Sequence, residues 1–86
     1  VRGVEISWRT VQEGSSLAGR TLAEANVRAQ TGASVVALVR DHQVQANPKS
    51  SVVFQPGDLL GFIGEPAQIE AAEQMIALNT ANAATH

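Results

Sequence analysis

Acid-base or nucleophilic chemistry through an imidazole would rest on His42 and the neighbouring Asp41, because the only other histidine is His86 at the end of the chain. Asp41-His42-Gln43 is a polar break between an apolar run and the alternating Val44-Gln45-Ala46, so a hairpin turn is predicted there. A hairpin tip is solvated, whereas a catalytic pair needs a sheltered cleft. The carboxylates are scattered. Glu70 and Glu73 read as a solvated helix face, since metal ligands must converge with further oxygen or nitrogen donors. Gly57, Gly61 and Gly64 have the spacing of neither a dinucleotide fingerprint nor a P-loop, and no lysine follows them. Gly57 and Gly64 suit turns, and Gly61 allows close packing inside a strand. The expectation is a chain that is not an enzyme and carries no metal and no cofactor.

The basic residues offer more. Arg20 flanks a predicted helix, Arg28 lies near its end, and Arg40 closes a strongly apolar strand. Arg28 stands closest to the stretch from Gly32 to Val36, where a helix end, backbone amides and apolar side chains together suit a small ligand.

The elements that must position these residues follow from periodicity. Residues 32 to 40, GASVVALVR, are apolar at consecutive positions from Val35 to Val39, so both side-chain sets, Val35/Ala37/Val39 and Val36/Leu38, need cover from water. Val4, Ile6 and Trp8 alternate with Glu5, Ser7 and Arg9, which predicts a strand with one buried face. Thr21-Leu22-Ala23-Glu24 has capping-box spacing and opens a helix over about Leu22 to Gln30 that buries Leu22, Ala25 and Ala29 and stops at Gly32. Asn47 to Ser51 is a loop around Pro48, and Val52-Val53-Phe54 fits a brief strand. Gln55-Pro56-Gly57-Asp58 has the residues of a type II turn and leads into the strand Leu59 to Ile63. A last helix opens at Glu65-Pro66, places Ile69, Ala72 and Ile76 on one stripe, and fades near Leu78-Asn79. The expected fold is α+β: a small, mostly antiparallel sheet of four to five strands with two helices on one face, in the order β-α-β-β-(β)-β-α. It occupies residues 1–79 as one domain, and residues 80–86 are expected to be a disordered tail.

Composition narrows the partners. The chain has 86 residues and 44% apolar residues, many of them alanine, so its core is thin. Cysteine is absent, which excludes disulfides, thiol catalysis and thiolate metal sites and leaves self-association as a route to stability. A net charge of -2 makes no case for nucleic-acid binding, and the aromatics Trp8, Phe54 and Phe62 are too few for a base-stacking platform. No stretch approaches a membrane span.

The succession Ser16-Leu17-Ala18-Gly19-Arg20-Thr21-Leu22-Ala23-Glu24, Asn26-Val27-Arg28, Gly32, Val35 to Arg40, Asn47-Pro48, Gly57-Asp58 and Gly64 resembles the RCK C-terminal (TrkA-C) domain of potassium channels, potassium uptake systems and cation/proton antiporters. The resemblance runs from about Val4 to Leu78. It implies a cytoplasmic, homodimeric regulatory module of a membrane transport protein that binds a small effector, a nucleotide or cyclic dinucleotide, in a cleft at the dimer two-fold. By position it implies a ligand-binding set of Arg28, Ser34, Val35, Val36 and Pro48. Family members that bind cyclic di-AMP often have asparagine where this chain has Ser34, and serine lacks the amide's paired donor and acceptor. The nucleotide-binding RCK N-terminal domain is not among these residues, so no NAD or ATP site is implied. The alternative is a ligand-free dimerisation and assembly module of the same kind of transporter.

Overall fold

The most apolar strands take the centre of the sheet because only there are both of their edges paired. The computed structural model describes residues 5–77. Along them run β1 (Ser7–Thr10), α1 (Leu22–Ala25), α2 (Val27–Thr31), β2 (Ser34–Arg40), β3 (Gln43–Ala46), β4 (Leu59–Ile63) and α3 (Pro66–Ala77). The strands form one four-stranded sheet in the order β1-β4-β2-β3, antiparallel throughout. The expected α+β architecture is therefore present. Residues 1–4 and 78–86, which include Val4, the end of the last helix and the tail expected over 80–86, lie outside the described residues.

One face of the sheet packs on helices. Leu38, Leu60 and Phe62 join Ala25, Val27, Ala72 and Ile76 in a single buried cluster, with Val11, Leu17 and Phe54 supplied by the connections. The stripe expected on α3 is there: Ala72 and Ile76 are buried and Ile69 packs against the cluster. Serines of the β1–α1 connection tie themselves to this helix: Ser15 Oγ donates to the Ile76 carbonyl at 2.6 Å and Ser16 Oγ to that of Met75 at 3.3 Å.

Strand β2 departs from simple alternation. Its pairing with β4 shifts between Val35 and Ala37, leaving Val36 as a bulge. Val35, opposite Phe62, and Leu38, opposite Leu60, consequently share the helix side, while Ala37 and Val39 take the other. The expected sets Val35/Ala37/Val39 and Val36/Leu38 are thus broken by one extra residue. Periodicity cannot show a bulge when every neighbouring residue is apolar.

Strand β1 reverses its expected faces. Ile6 and Trp8 remain 43% and 40% exposed on the side without helices, whereas Ser7 and Arg9 are half-buried toward α3. Register explains this: Ser7 lies opposite Phe62 and Arg9 opposite Leu60, both on the core side, and Arg9 is held there by an ion pair with Glu73 of α3. Trp8 lies opposite Gly61, where an added Cβ would come 2.9 Å from the indole and 3.0 Å from Ile6. Gly61 therefore does permit close packing within the strand. Gly61→Ala is expected to cost about 1–3 kcal/mol by forcing the ring aside. Chemical denaturation, with the fluorescence of the single tryptophan as probe, measures it.

The helix expected over Leu22 to Gln30 is two helices. Thr21 and Glu24 make the full capping box, with Glu24 N to Thr21 Oγ1 at 3.0 Å and Thr21 N to Glu24 Oε1 at 2.8 Å. Asn26 then turns left-handed at φ 51° and ends α1 after one turn. The break rotates α2 so that Val27 is buried in place of Ala29, which is exposed, and Leu22 is only partly covered. Gly32 closes α2 at φ 83°, as expected.

The brief strand expected over Val52 to Phe54 is not part of the sheet. Val53 forms one isolated bridge with Thr21, and the segment faces the start of α1. Leu22 N donates to Val52 O at 2.9 Å and Ala23 N to Ser50 O at 3.0 Å, while Phe54 exchanges bonds with Gly19 and Arg20. The segment thus serves first-turn amides that the helix itself cannot satisfy. The other turns follow expectation: Asp41 and His42 make a two-residue hairpin with φ of 53° and 65°, and Gly57 has φ 92° in the turn closed by Asp58 N to Gln55 O.

Candidate functional site

Where α1 and α2 meet the start of β2, a groove of about 240 Å³ is lined by Leu22, Ala23, Asn26, Val27, Arg28, Ser34 and Val35. The break at Asn26 creates it. A continuous helix would carry residues 26 to 28 on at an even twist, whereas the left-handed residue lets Val27 enter the core and leaves Asn26 and Arg28 exposed at the rim. Gly32 and Ala33 then bring the chain back so that Ser34 and Val35 form the facing wall. The carbonyl of Arg28 accepts the Gly32 amide at 2.8 Å, which ties the arginine's backbone to the turn leading into that wall.

Chemically the groove is an apolar floor with polar corners. Leu22, Ala23, Val27 and Val35 offer carbon surface, and Asn26 and Ser34 offer an amide and a hydroxyl. The Arg28 guanidinium has no hydrogen-bond or ion-pair partner among the described residues, while Arg9, Arg20 and Arg40 each bond within the chain. A free guanidinium beside apolar surface suits a planar, anionic molecule: the floor receives the ring and the fork takes an oxyanion. The acidic first turn of α1 is no rival for that anion. Glu24 is held below its ordinary pKa by the Thr21 amide and hydroxyl and is spent on the cap.

Three of the five residues singled out from the sequence, Arg28, Ser34 and Val35, come together here. Val36 and Pro48 do not line the groove. Val36 is the bulge of β2, and its carbonyl accepts the amide of Asn47 at 2.8 Å, so these two sit side by side at the end of β3 rather than on the groove floor. Leu22, Ala23, Asn26 and Val27 were not singled out. Asn26 carried a usable signal, since asparagine inside an apparent helix is one of the few residues that turns left-handed at low cost. Asp41 and His42 are exposed at the hairpin tip, apart from the groove.

At the far end of β2 from the groove lies an unexpected polar clamp. Asp58 is 1% exposed and receives Arg40 Nε at 2.8 Å, Arg40 Nη2 at 2.6 Å and the Gln55 amide at 2.8 Å. Arg40 Nη2 also reaches the Val53 carbonyl at 2.9 Å. The clamp fastens the end of β2 and the start of β4 to the segment that supports α1. Burial pushes the Asp58 carboxyl up, but the Arg40 guanidinium and the Gln55 amide outweigh it and hold the pKa below the ordinary value. A second hollow, between β1 and α3, is lined by Glu5, Glu70 and Glu73 around Arg9 and has no comparable free cation.

A four-stranded antiparallel sheet with helices on one face and a groove at the helix–strand junction defines a small α+β domain of the RCK_C type. The chain belongs to the TrkA-C domain family, whose model matches residues 6–77. It is 26% identical over 73 residues to the probable potassium channel protein 2 of Methanocaldococcus jannaschii, covering 85% of this chain and 21% of the relative. The chain thus spans about a fifth of that relative's length. Among solved structures it is similar to the RCK_C domain dimer of S. agalactiae BusR in complex with c-di-AMP, with a TM-score of 0.79 and 27% identity over 86% of this chain and 97% of the other. It is also similar to S. agalactiae BusR in complex with its busAB-promotor DNA, with a TM-score of 0.78 and 27% identity, covering 85% of this chain and 36% of the longer one. No described helix is long and apolar enough to cross a membrane.

Proposed function

We propose that this chain is a cytoplasmic, non-catalytic sensing domain of a potassium or cation/proton transport protein, and that it binds a nucleotide or cyclic dinucleotide as a homodimer. The observation that carries the proposal is the groove itself, in which the unpartnered Arg28 guanidinium stands over apolar carbon at the break between α1 and α2. The similarity to a BusR domain dimer holding c-di-AMP and to a probable potassium channel protein supports it. Effector binding that favours one dimer arrangement would bias the transporter through its differential affinity for two states. Nucleic acid is not proposed as a partner of this stretch, whose net charge is -2.

Titration calorimetry with cyclic di-AMP and a panel of mononucleotides tests the proposal. Arg28→Ala removes a charge-assisted bond of about 1.5–3 kcal/mol and is expected to weaken binding about 10- to 100-fold while leaving the fold and dimer unchanged. A folded, dimeric chain that binds none of the panel would instead favour the assembly module without ligand.

A further inference from the structure

We infer that the outer edge of β1 is a docking site for an extended segment of a partner protein, one in which basic and apolar side chains alternate, added to the sheet as a further strand. The backbone of β1 and the two faces on either side of it each point to that occupant. β1 stands at the end of the strand order, and no described strand pairs with its outer side. In an antiparallel pair every second residue turns its N–H and C=O groups toward the partner strand. Val11 N donates to the Asp58 carbonyl at 2.8 Å and Val11 O accepts the Gly57 amide at 2.7 Å, so Ser7 and Arg9 turn inward in the same way and the groups of Trp8 point outward. The Trp8 carbonyl bears this out. Its donor is Nη1 of the adjacent Arg9 side chain, at 2.8 Å, standing where the amide of a further strand would stand. An open backbone edge of this kind is a template for strand addition.

The side chains choose which strand. On the helix-free side Ile6 and Trp8 are exposed and offer carbon surface beside the edge. On the helix side Ser7 and Arg9 line the hollow between β1 and α3, which has a volume of about 640 Å³ and also carries Glu5, Glu70 and Glu73. Arg9 pairs with Glu73, and the three carboxylates against one guanidinium leave an excess of two negative charges, equal to the net charge of the whole chain. Successive side chains of an added strand point to opposite faces. One set therefore meets Ile6 and Trp8 and is apolar, while the other enters the acidic hollow and is basic. Lysine or arginine also suits the apolar part of the lining, since its stem can lie along Pro66 and Ile69 while its charge reaches the carboxylates. The other edge strand, β3, has no charged side chain with which to select a partner. The hollow shares no lining residue with the effector groove, so this surface is a separate one.

The test titrates the wild-type chain and Glu70→Lys with a short, end-capped synthetic peptide alternating lysine and valine, followed by calorimetry and by the emission of the sole tryptophan. Glu70 is exposed and lies outside the Arg9–Glu73 pair, so the reversal leaves the fold intact, as circular dichroism will show. The expected result is binding to wild type with a blue shift of Trp8 emission as valine side chains cover the indole. Glu70→Lys and raised salt should each weaken it, the variant by about 3- to 10-fold. Two control peptides, one methylated at alternate amides and one with glutamate in place of lysine, should bind at least about tenfold more weakly. No binding of the lysine–valine peptide at millimolar concentration overturns the inference. So does a methylated peptide that binds as well as its parent, which would make the contact electrostatic without strand addition, or an unaffected Glu70→Lys, which would place the peptide elsewhere. Peptide affinity that falls as the chain concentration rises would assign the edge to a second copy of this chain, and that outcome equally overturns it.

Discussion

Asp58→Ala is expected to remove about 3–5 kcal/mol of stability, toward the lower end because Arg40 is partly solvated and can recover water. The substitution strips the acceptor from three donors at once, two on Arg40 and the Gln55 amide. An 86-residue domain has about 4–13 kcal/mol in total, so the loss is at least about a fifth of its stability and can be nearly all of it. Urea unfolding measures the loss. Asp58→Asn, which keeps one acceptor oxygen and the shape but not the charge, should fall between wild type and alanine. The clamp also sets an acid limit. Because the folded carboxyl has a lowered pKa, its contribution is complete above the unfolded value near 3.8 and disappears as the pH falls through the lower folded value. Wild-type stability should therefore decline steeply below about pH 4, and the decline should be shallower in both variants. Parallel acid limbs in all three proteins would show that Asp58 is not the group responsible.

Phe54→Ala should cost a further 3–5 kcal/mol in its own right, about as much as any core truncation in the chain. Phe54 is fully buried although it belongs to no regular element, and its backbone exchanges bonds with Gly19 and Arg20 at 2.8 and 2.9 Å. Truncating the ring leaves a cavity under the segment that receives the first amides of α1, so the groove should loosen as well as the core. At about 4–8 °C per kcal/mol for a domain of this size, the melting temperature should fall by more than 10 °C. Val53→Ala is the informative neighbour: Val53 is 42% exposed, and its loss should be nearly silent. Equal effects at the two positions would contradict the packing described here.

How far the molecule was legible in advance differs from residue to residue. The capping box at Thr21 and Glu24, the hairpin at Asp41-His42, the turn at Gly57 and the stripe on α3 were readable because each depends on neighbours within a few positions. The family resemblance implies Arg28, Ser34, Val35, Val36 and Pro48 as one set; Arg28, Ser34 and Val35 line the groove, and Val36 and Pro48 do not. Asp58 escaped notice as anything but a turn residue, since its partner Arg40 lies 18 positions away on another strand.

The amino-acid sequence by itself determined the local devices and the apolar strands, and with them the α+β class, because caps, turns and periodicity act through short-range sterics and hydrogen bonds. Which way those strands face was decided only by tertiary structure. Ile6 and Trp8 alternate as a buried set should, yet pairing with β4 directs them to the side that the helices do not cover. The bulge at Val36 likewise moved Val35 to the core side, and the left-handed turn at Asn26 opened the groove. A shift of one residue reverses a strand's faces, and that shift is set by partners distant in the chain.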